Sequence, residues 1–497
     1  MSQPASQHVK TGQPARRTGG RREADPVRRT AYRVLAAVST KDAYANLLLA
    51  SALRESGLHG KDAALATELV YGVLRHRGSY DAIISFCADR DLDRIDSGVL
   101  DALRLGAHQL LGMRIKPHAA VATTVDVAVE VAGRRPAGFV NAVLRRIAPR
   151  DFDTWIGIVA PDRSADPVGH MAVRHSHPRW IVEAFAEALG ETPGGDLSQT
   201  EAALAANNAR PAVHLAVVPG LADPGDLVAG GATAARWSPY GAYSPGGDPG
   251  SIDAVARGRA GVQDEASQLA TVALASAVTS TSASGQRWLD LCAGPGGKAR
   301  LLAGLAAERG AVLLAADVHH HRAVLALHAV RAGLTARAVG GIGTARAVGG
   351  IGTAAVVTAD GLVPPWPPGS FDRVLADLPC SGLGSLRRRP EARWRREPGD
   401  VLALGRLQRD LLGSAVDAAK PGAVIGYVTC SPHLAETRTV LADVIAAHGH
   451  LEVLDAPAVL SMVPDLRCRE PYQKYAQFWP HRHGTDAIFV ALLRLVS

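Results

Sequence analysis

Between Val27 and Arg150 apolar side chains return every three or four positions, the spacing of one face of a helix. The stretch ALATELVYGVLR (Ala64–Arg75) shows it, as do Leu100 to Leu111 and Val121 to Val131. FVNAVLRRI (Phe139–Ile147) closes the region as an amphipathic helix with its arginines outward. No strand-like alternation interrupts the run, so an all-α domain is predicted over 27–150. Residues 151–255 read as a small α+β connector. RHSHPRWIVEAFAEALG (Arg174–Gly190) predicts a helix entered through Pro178, Ala206–Gly220 a loop and then a strand, and Ser238–Gly250 a loop or linker.

From about residue 256 strand and helix alternate. Strands are predicted at Trp288–Leu291, Val312–Ala316, Ala354–Ala359, Phe371–Ala376 and Ala423–Val428, with helices at Lys298–Glu308, His321–Ala332 and Leu402–Ala419. That rhythm predicts a doubly wound parallel α/β sheet over 256–497. Within it ARAVGGIGT occurs twice in tandem, at 336–344 and 345–353. Nine residues are too few for a solenoid unit, so a slippage in a surface loop is expected.

Charge and composition narrow the function. The formal net charge of +7 favours polyanionic partners, and only seven of the 54 basic residues are lysines. Residues 1–26 carry Lys10, Arg16, Arg17, Arg21 and Arg22 among Gly, Gln, Pro and Ser, the composition of a disordered basic arm. Such an arm is either a solvated tail or a non-specific grip on nucleic acid. No apolar export segment follows it and no run of 18 apolar residues occurs, so a cytoplasmic, membrane-free protein is expected. Five widely spaced cysteines argue against a disulfide framework and for a reducing compartment.

Candidate chemistry lies at predicted strand ends. The loop Cys292–Ala293–Gly294–Pro295–Gly296–Gly297–Lys298 leaves a buried strand and opens a helix, where glycines admit a ligand and free amides face it. It lacks Walker spacing, so a phosphate-binding P-loop is excluded. Asp317, Asp360 and Asp377 fall at successive strand ends, the edge where open α/β sheets bind ligands. For Asp317 a ribose contact is expected, with a helix N-cap as the alternative. His319–His320–His321 point in different directions on a helix and have no acidic or cysteine partner at ligand spacing, so no metal site is expected. Cys380 and Cys430 sit in small polar loops after strands, with the exposure a reactive thiol needs. Cys87, Cys292 and Cys468 read as buried small hydrophobes. Beyond Cys380, the residues Arg387, Arg388, Arg389, Arg393, Arg395 and Arg396 surround Trp394; phosphate contacts and base stacking are expected, a solvated loop being the alternative.

These words also carry a resemblance. ATELVYGVLRHR and FVNAVLRRI resemble the NusB-like RNA-binding helical domain. GVQDEAS (Gly261–Ser267), DLCAGPGGK, DLPCSGLGSLRRRPEARWRR and VTCSPHLAET are similar to the RNA cytosine-5 methyltransferase family, and the whole resembles its bacterial ribosomal-RNA branch, the Sun or Fmu type. Leu378 and Gly294 depart from that pattern, where Ala is usual. The resemblance implies S-adenosylmethionine as methyl donor and an unpaired or flipped cytosine of ribosomal RNA, most naturally 16S, as substrate, in a monomer. Cys292–Lys298 would cradle the methionine end of the donor, Asp317 the ribose and Asp360 the adenine, with Asp377 beside the target base. Cys430 would be the nucleophile and Cys380 would help release product. Two alternatives are a non-catalytic RNA-binding assembly or antitermination factor and a DNA cytosine-5 methyltransferase, in which the PC-motif cysteine attacks.

Overall fold

The computed structural model describes residues 23–496 apart from 42, 193, 283–284, 332–335, 338–345 and 352–353. The basic arm expected over 1–26 therefore lies almost wholly outside the described residues, as does the first copy of the nonapeptide beyond 336–337. The chain forms two compact units, one of residues up to Val73 with Ile83–Trp155, the other of Leu74–Ala82 with Ile156–Ser497.

Helices α1 (Pro26–Lys41), α2 (Ala45–Glu55), α3 (Gly60–Ala88), α4 (Ser97–Leu111), α5 (Pro117–Ala132) and α6 (Ala137–Ile147) follow the apolar periodicity. Helix α4 is the buried centre of the first unit, with Val99 through Gln109 all inside. Its two buried charges answer each other, Arg104 to Asp101 at 2.9 Å, as buried charges must. Gly106 lets α6 come close, because a Cβ there would sit 2.7 Å from the Leu144 methyls. In α6, Val140, Val143, Leu144 and Ile147 are buried while Arg145 and Arg146 face out.

Helix α7 (Phe152–Val159) runs across the boundary at Trp155, and in the second unit α8 (Pro167–Arg174), α9 (Arg179–Leu189) and α10 (Ser198–Asn208) lead into a small antiparallel sheet of β1 (His214–Val217), β2 (Thr233–Ala234), β3 (Gly241–Tyr243) and β4 (Ala260–Val262), ordered β2-β3-β1-β4. The stretch Ser238–Gly250 is thus not loop throughout, since β3 lies in it and pairs with β1. Helices α11 (Pro224–Ala229) and α12 (Asp253–Ala256) link these strands, and α13 (Glu265–Ser276) leaves β4 for the larger sheet.

That sheet holds β5 (Arg287–Asp290), β6 (Val312–Asp317), β9 (Ala354–Thr358), β10 (Phe371–Asp377) and β11 (Ala419–Thr429) in parallel, ordered β9-β6-β5-β10-β11. Alternate residues face opposite layers, as the pleat requires. Trp288, Leu375 and Val424 pack under α13, α14 (Gly297–Glu308) and α15 (His320–Arg331), while Leu289, Val374 and Ile425 pack under α16 (Pro398–Ala418) and α17 (Arg438–Ala447). Each such side chain contributes about 1.5–3 kcal/mol on burial. The doubly wound reading holds for this centre but not for the flanks. Strands β12 (Leu451–Leu454), β13 (Ala476–Gln477) and β14 (Phe489–Leu495) add antiparallel to one side, with β14 on β11. On the other side β7 (Ala336–Arg337) and β8 (Arg346–Ile351) continue antiparallel from β9. The second copy of the nonapeptide therefore supplies a strand, β8, between β9 and β7 where a loop was expected, because the open flank of β9 leaves backbone groups for it to pair.

Candidate functional site

In chain order the parallel strands run third, second, first, fourth, fifth across the sheet, so the winding reverses between β5 and β10. Loops leaving two strands at such a point diverge and open a crevice. The sequence places Cys292–Lys298 after β5 and Asp377–Cys380 after β10, one on each side of it.

The glycine loop is packed from beneath. A Cβ on Gly296, which has φ +108°, would lie 2.6 Å from the Ala326 Cα of α15. One on Gly294 would lie 2.6 Å from Asp317 Oδ2. Without side chains in the way, the Gly294 amide donates to that oxygen at 3.0 Å, and His319 N donates to Oδ1 at 2.9 Å. Asp317 thus holds the loop and starts the turn into α15, so the capping alternative has substance alongside the ligand role. Asp360 lies two residues past β9, exposed, accepting from Leu362 N at 2.9 Å. Cys292 is half-buried against the α16 side of the sheet, and burial together with Asp290 pushes its thiol up.

The Lys298 side chain reaches beyond the glycine loop. Its Nζ donates to Asp377 Oδ2 at 2.8 Å, which ties the loop after β5 to the loop after β10. Cys380 and Cys430 meet beside this pair, Sγ to Sγ 3.1 Å. Their loops are braced to each other. Buried Glu436 accepts from Ser381 N at 2.7 Å and from the Ser381 hydroxyl, while Gln408 donates to it at 3.3 Å and to Pro379 O at 2.8 Å. Gly384 N donates to Cys430 O at 2.8 Å, and a Cβ on Gly384 would come within 1.9 Å of Ala487 O. Only glycine fits between these two backbones.

The thiols are polarised in opposite senses. The Cys380 thiol as donor, with Lys298 and Arg389 nearby, draws the Cys430 pKa below the ordinary thiol value against burial and the Asp377 charge. The same hydrogen bond and burial push Cys380 well up. Of the two, Cys430 is the thiol that ionises more readily.

The arginine run behaves differently from the expectation of a phosphate-contacting loop. Arg393 is fully buried and donates to Arg75 O at 2.9 Å, Ser176 O at 3.1 Å, Asn207 O at 3.0 Å and Asn208 Oδ1 at 2.7 Å. Arg387 is buried and donates to Gly484 O at 2.9 Å, and Arg388 forks onto buried Asp486. Trp394 lies over Gly78, where a Cβ would come within 2.4 Å of its ring, with the Arg77 guanidinium 5.9 Å from the ring centre. Arg396 donates to Ser381 O at 3.3 Å, and Arg395 is half-buried. These side chains satisfy backbone carbonyls and buried acids inside the unit. Arg389 alone of the run is exposed. Among the described residues no group of three or more His, Cys, Asp or Glu is arranged to hold a metal ion, and no helix is long and apolar enough to cross a membrane.

Two site features escaped the sequence. Glu436 lies in the quoted motif, but nothing local marks its partners, which sit 28 and 55 residues away. Asp290, at the end of β5, is fully buried, and among the described residues neither of its oxygens has a hydrogen-bond partner. Burial and the charges of Asp377 and Asp317 push it up to about 8. A strand ending in Asp just before the glycine loop was the available signal.

A doubly wound sheet carrying a glycine loop, strand-end acids and facing loops at its switch point defines an α/β methyltransferase domain. Comparison with known proteins narrows the class. Residues 277–494 match the family model for 16S rRNA methyltransferase RsmB/F, and residues 25–149 match the NusB family. A putative methyltransferase of Mycobacterium tuberculosis, Rv1407, is 48% identical over 486 residues, covering 97% of this chain and 100% of that protein. Ribosomal RNA small subunit methyltransferase B of Pseudomonas putida is 30% identical over 478 residues, 94% of this chain and 98% of that one. The crystal structure of PH0851 superposes with a TM-score of 0.72 at 21% identity over 95% of this chain and 99% of that one, which supports the fold. The chain belongs to the ribosomal RNA small subunit methyltransferase B (Sun/RsmB) family: it is an RNA methyltransferase of that type, dependent on S-adenosylmethionine, with a NusB-like helical domain.

Proposed function

We propose that the protein methylates carbon 5 of a cytosine in 16S ribosomal RNA, with Cys430 as the attacking thiol and Cys380 as the group that helps release product. The observation that carries this reading is the meeting of two oppositely polarised thiols, 3.1 Å apart, beside the Lys298–Asp377 pair.

S-adenosylmethionine supplies an electrophilic methyl group when bound. The Cys292–Lys298 loop suits its methionine end, because packing at Gly294 and Gly296 against Asp317 and α15 fixes it in place while the first amides of α14 have no intrahelical acceptor. Asp317 and Asp360 face the same edge, for the ribose and the adenine.

Carbon 5 of an aromatic cytosine is a poor nucleophile. The Cys430 thiolate adds to carbon 6, the ring loses its aromaticity, and carbon 5 becomes enamine-like and takes the methyl. Solvent water takes the carbon 5 proton, and the electrons of that C–H bond restore the ring double bond as Cys430 departs as thiolate, received by the hydrogen bond of the Cys380 thiol. Cys380 adjoins the departing sulfur, and the Lys298 ammonium steadies the thiolate. Asp377 holds Lys298 and faces the base. A stacked base cannot reach this edge, so the substrate cytosine is unpaired or flipped out.

The experiment is bisulfite mapping of 16S ribosomal RNA with and without the protein. One cytosine should become resistant only with the protein present. A methyl group found on another atom or another base would refute carbon 5 chemistry.

A further inference from the structure

The motif GVQDEAS places Gln263 immediately after β4, where its backbone N–H extends the ladder to His214 O at 3.0 Å. Its side chain points away from that ladder toward the donor loop. The Cγ and Cδ of Gln263 lie 3.9 Å from where a Gly297 Cβ would stand. The residue is only 6% exposed, and neither Oε1 nor Nε2 has a hydrogen-bond partner among the described residues. A buried amide left in that state costs free energy that evolution of a packed interior ordinarily removes.

Gly261, two residues earlier on the same face of the extended chain, fills out the picture. A Cβ there would lie 1.9 Å from the Arg300 Nη1, so the absence of a side chain lets that guanidinium lie against β4. Arg300 Nη2 is buried and also lacks a partner. An amide, a guanidinium and the first-turn amides of α14 thus converge where the loop enters the helix.

We infer that Gln263 is a binding residue for the amino-acid end of the methyl donor, its Nε2 donating to the α-carboxylate and its Oε1 accepting from the α-ammonium, with Arg300 supporting the carboxylate. An amide offers one donor and one acceptor side by side, which matches a zwitterion; it would match adenine as well, but its place beside Gly297, in the loop assigned to the methionine end, selects the zwitterion. The inference rests on the donor site assigned above.

The test uses the full chain and Gln263→Met, titrated calorimetrically with S-adenosylmethionine, S-adenosylhomocysteine and 5′-methylthioadenosine, which lacks the amino acid. The first two should weaken about tenfold, the worth of one or two lost hydrogen bonds, and the third should bind unchanged. The ligand-free melting temperature should hold or rise, because methionine replaces two polar atoms that had no partner. Equal loss across all three ligands, a lower ligand-free melting temperature, or no loss at all would overturn the inference. Failure of the wild-type chain to bind S-adenosylmethionine would instead reject the donor-site reading. Should Gln263→Met not fold, Gln263→Glu keeps the shape, and its carboxylate should repel the donor's while sparing 5′-methylthioadenosine; equal binding of all three ligands would overturn the inference there too.

Discussion

Lys298 and Asp377, joined at 2.8 Å, connect the loop that follows β5 to the loop that follows β10 across the point where the sheet reverses its winding. The pair also places a cation beside Cys430, one of the charges that lower its pKa. Replacing Lys298 with Met removes that charge while keeping the stem. The Cys430 pKa should rise, the thiolate fraction at neutral pH should fall, and the acidic limb of the kcat/KM profile should move to higher pH. The pH dependence of iodoacetamide alkylation at Cys430 measures the same shift directly, and an unmoved profile would remove Lys298 from thiol activation.

Glu436 holds the two cysteine loops together without facing the base. In Glu436→Ala the acceptors of the Ser381 amide, the Ser381 hydroxyl and the Gln408 amide are all lost, so the brace is gone. Turnover should fall about tenfold to a hundredfold, since a small misplacement of reacting groups is costly. S-adenosylmethionine affinity should stay within about twofold, because the brace does not touch the donor loop. Calorimetry and single-turnover kinetics separate the two effects.

Arg393 separates structural arginines from those that meet RNA. Its removal in Arg393→Met strands several buried acceptors and should cost about 3 kcal/mol of stability. RNA affinity of the folded fraction at low temperature should not change. Denaturant unfolding and filter binding on the same preparation check both halves.

Asp290 gives a pH signature with a definite sign. Its pKa is near 8 when folded, against an ordinary carboxyl value of 3.8, so the unfolded chain loses this proton at lower pH than the folded one. The stability that protonated Asp290 retains below pH about 4 is lost progressively as pH rises to about 8. Asp290→Asn mimics the protonated acid and escapes that loss. Relative to wild type it should gain on the order of a few kcal/mol between pH 4 and 8, with the difference flat above that. Thermal melts across pH check it.

The helices of the first unit and the parallel strands were legible because their signals are local. Apolar spacing placed α4 and α6, and acids at strand ends marked Asp317, Asp360 and Asp377. What stayed hidden depends on partners far along the chain. Arg393 reads as one cation among six, yet its acceptors lie as far away as Arg75. Strand β14 carries the same apolar run as a parallel strand, and only its pairing with β11 gives it the opposite direction. Strand β4 lies in the stretch read as the start of the larger domain, yet it pairs with β1. Strand β8 falls in a glycine-rich repeat with poor strand propensity, and the exposed edge of β9 orders it.

The most direct test of the central claim is denaturing electrophoresis of cysteine variants incubated with substrate RNA and S-adenosylmethionine. If Cys430 attacks carbon 6 and Cys380 assists its release, Cys380→Ala should accumulate a protein band shifted by the mass of the RNA. Cys430→Ala should show neither that band nor turnover. A trapped adduct with Cys430→Ala would make Cys380 the attacking thiol, and full activity in both variants would contradict covalent cysteine catalysis in this chain.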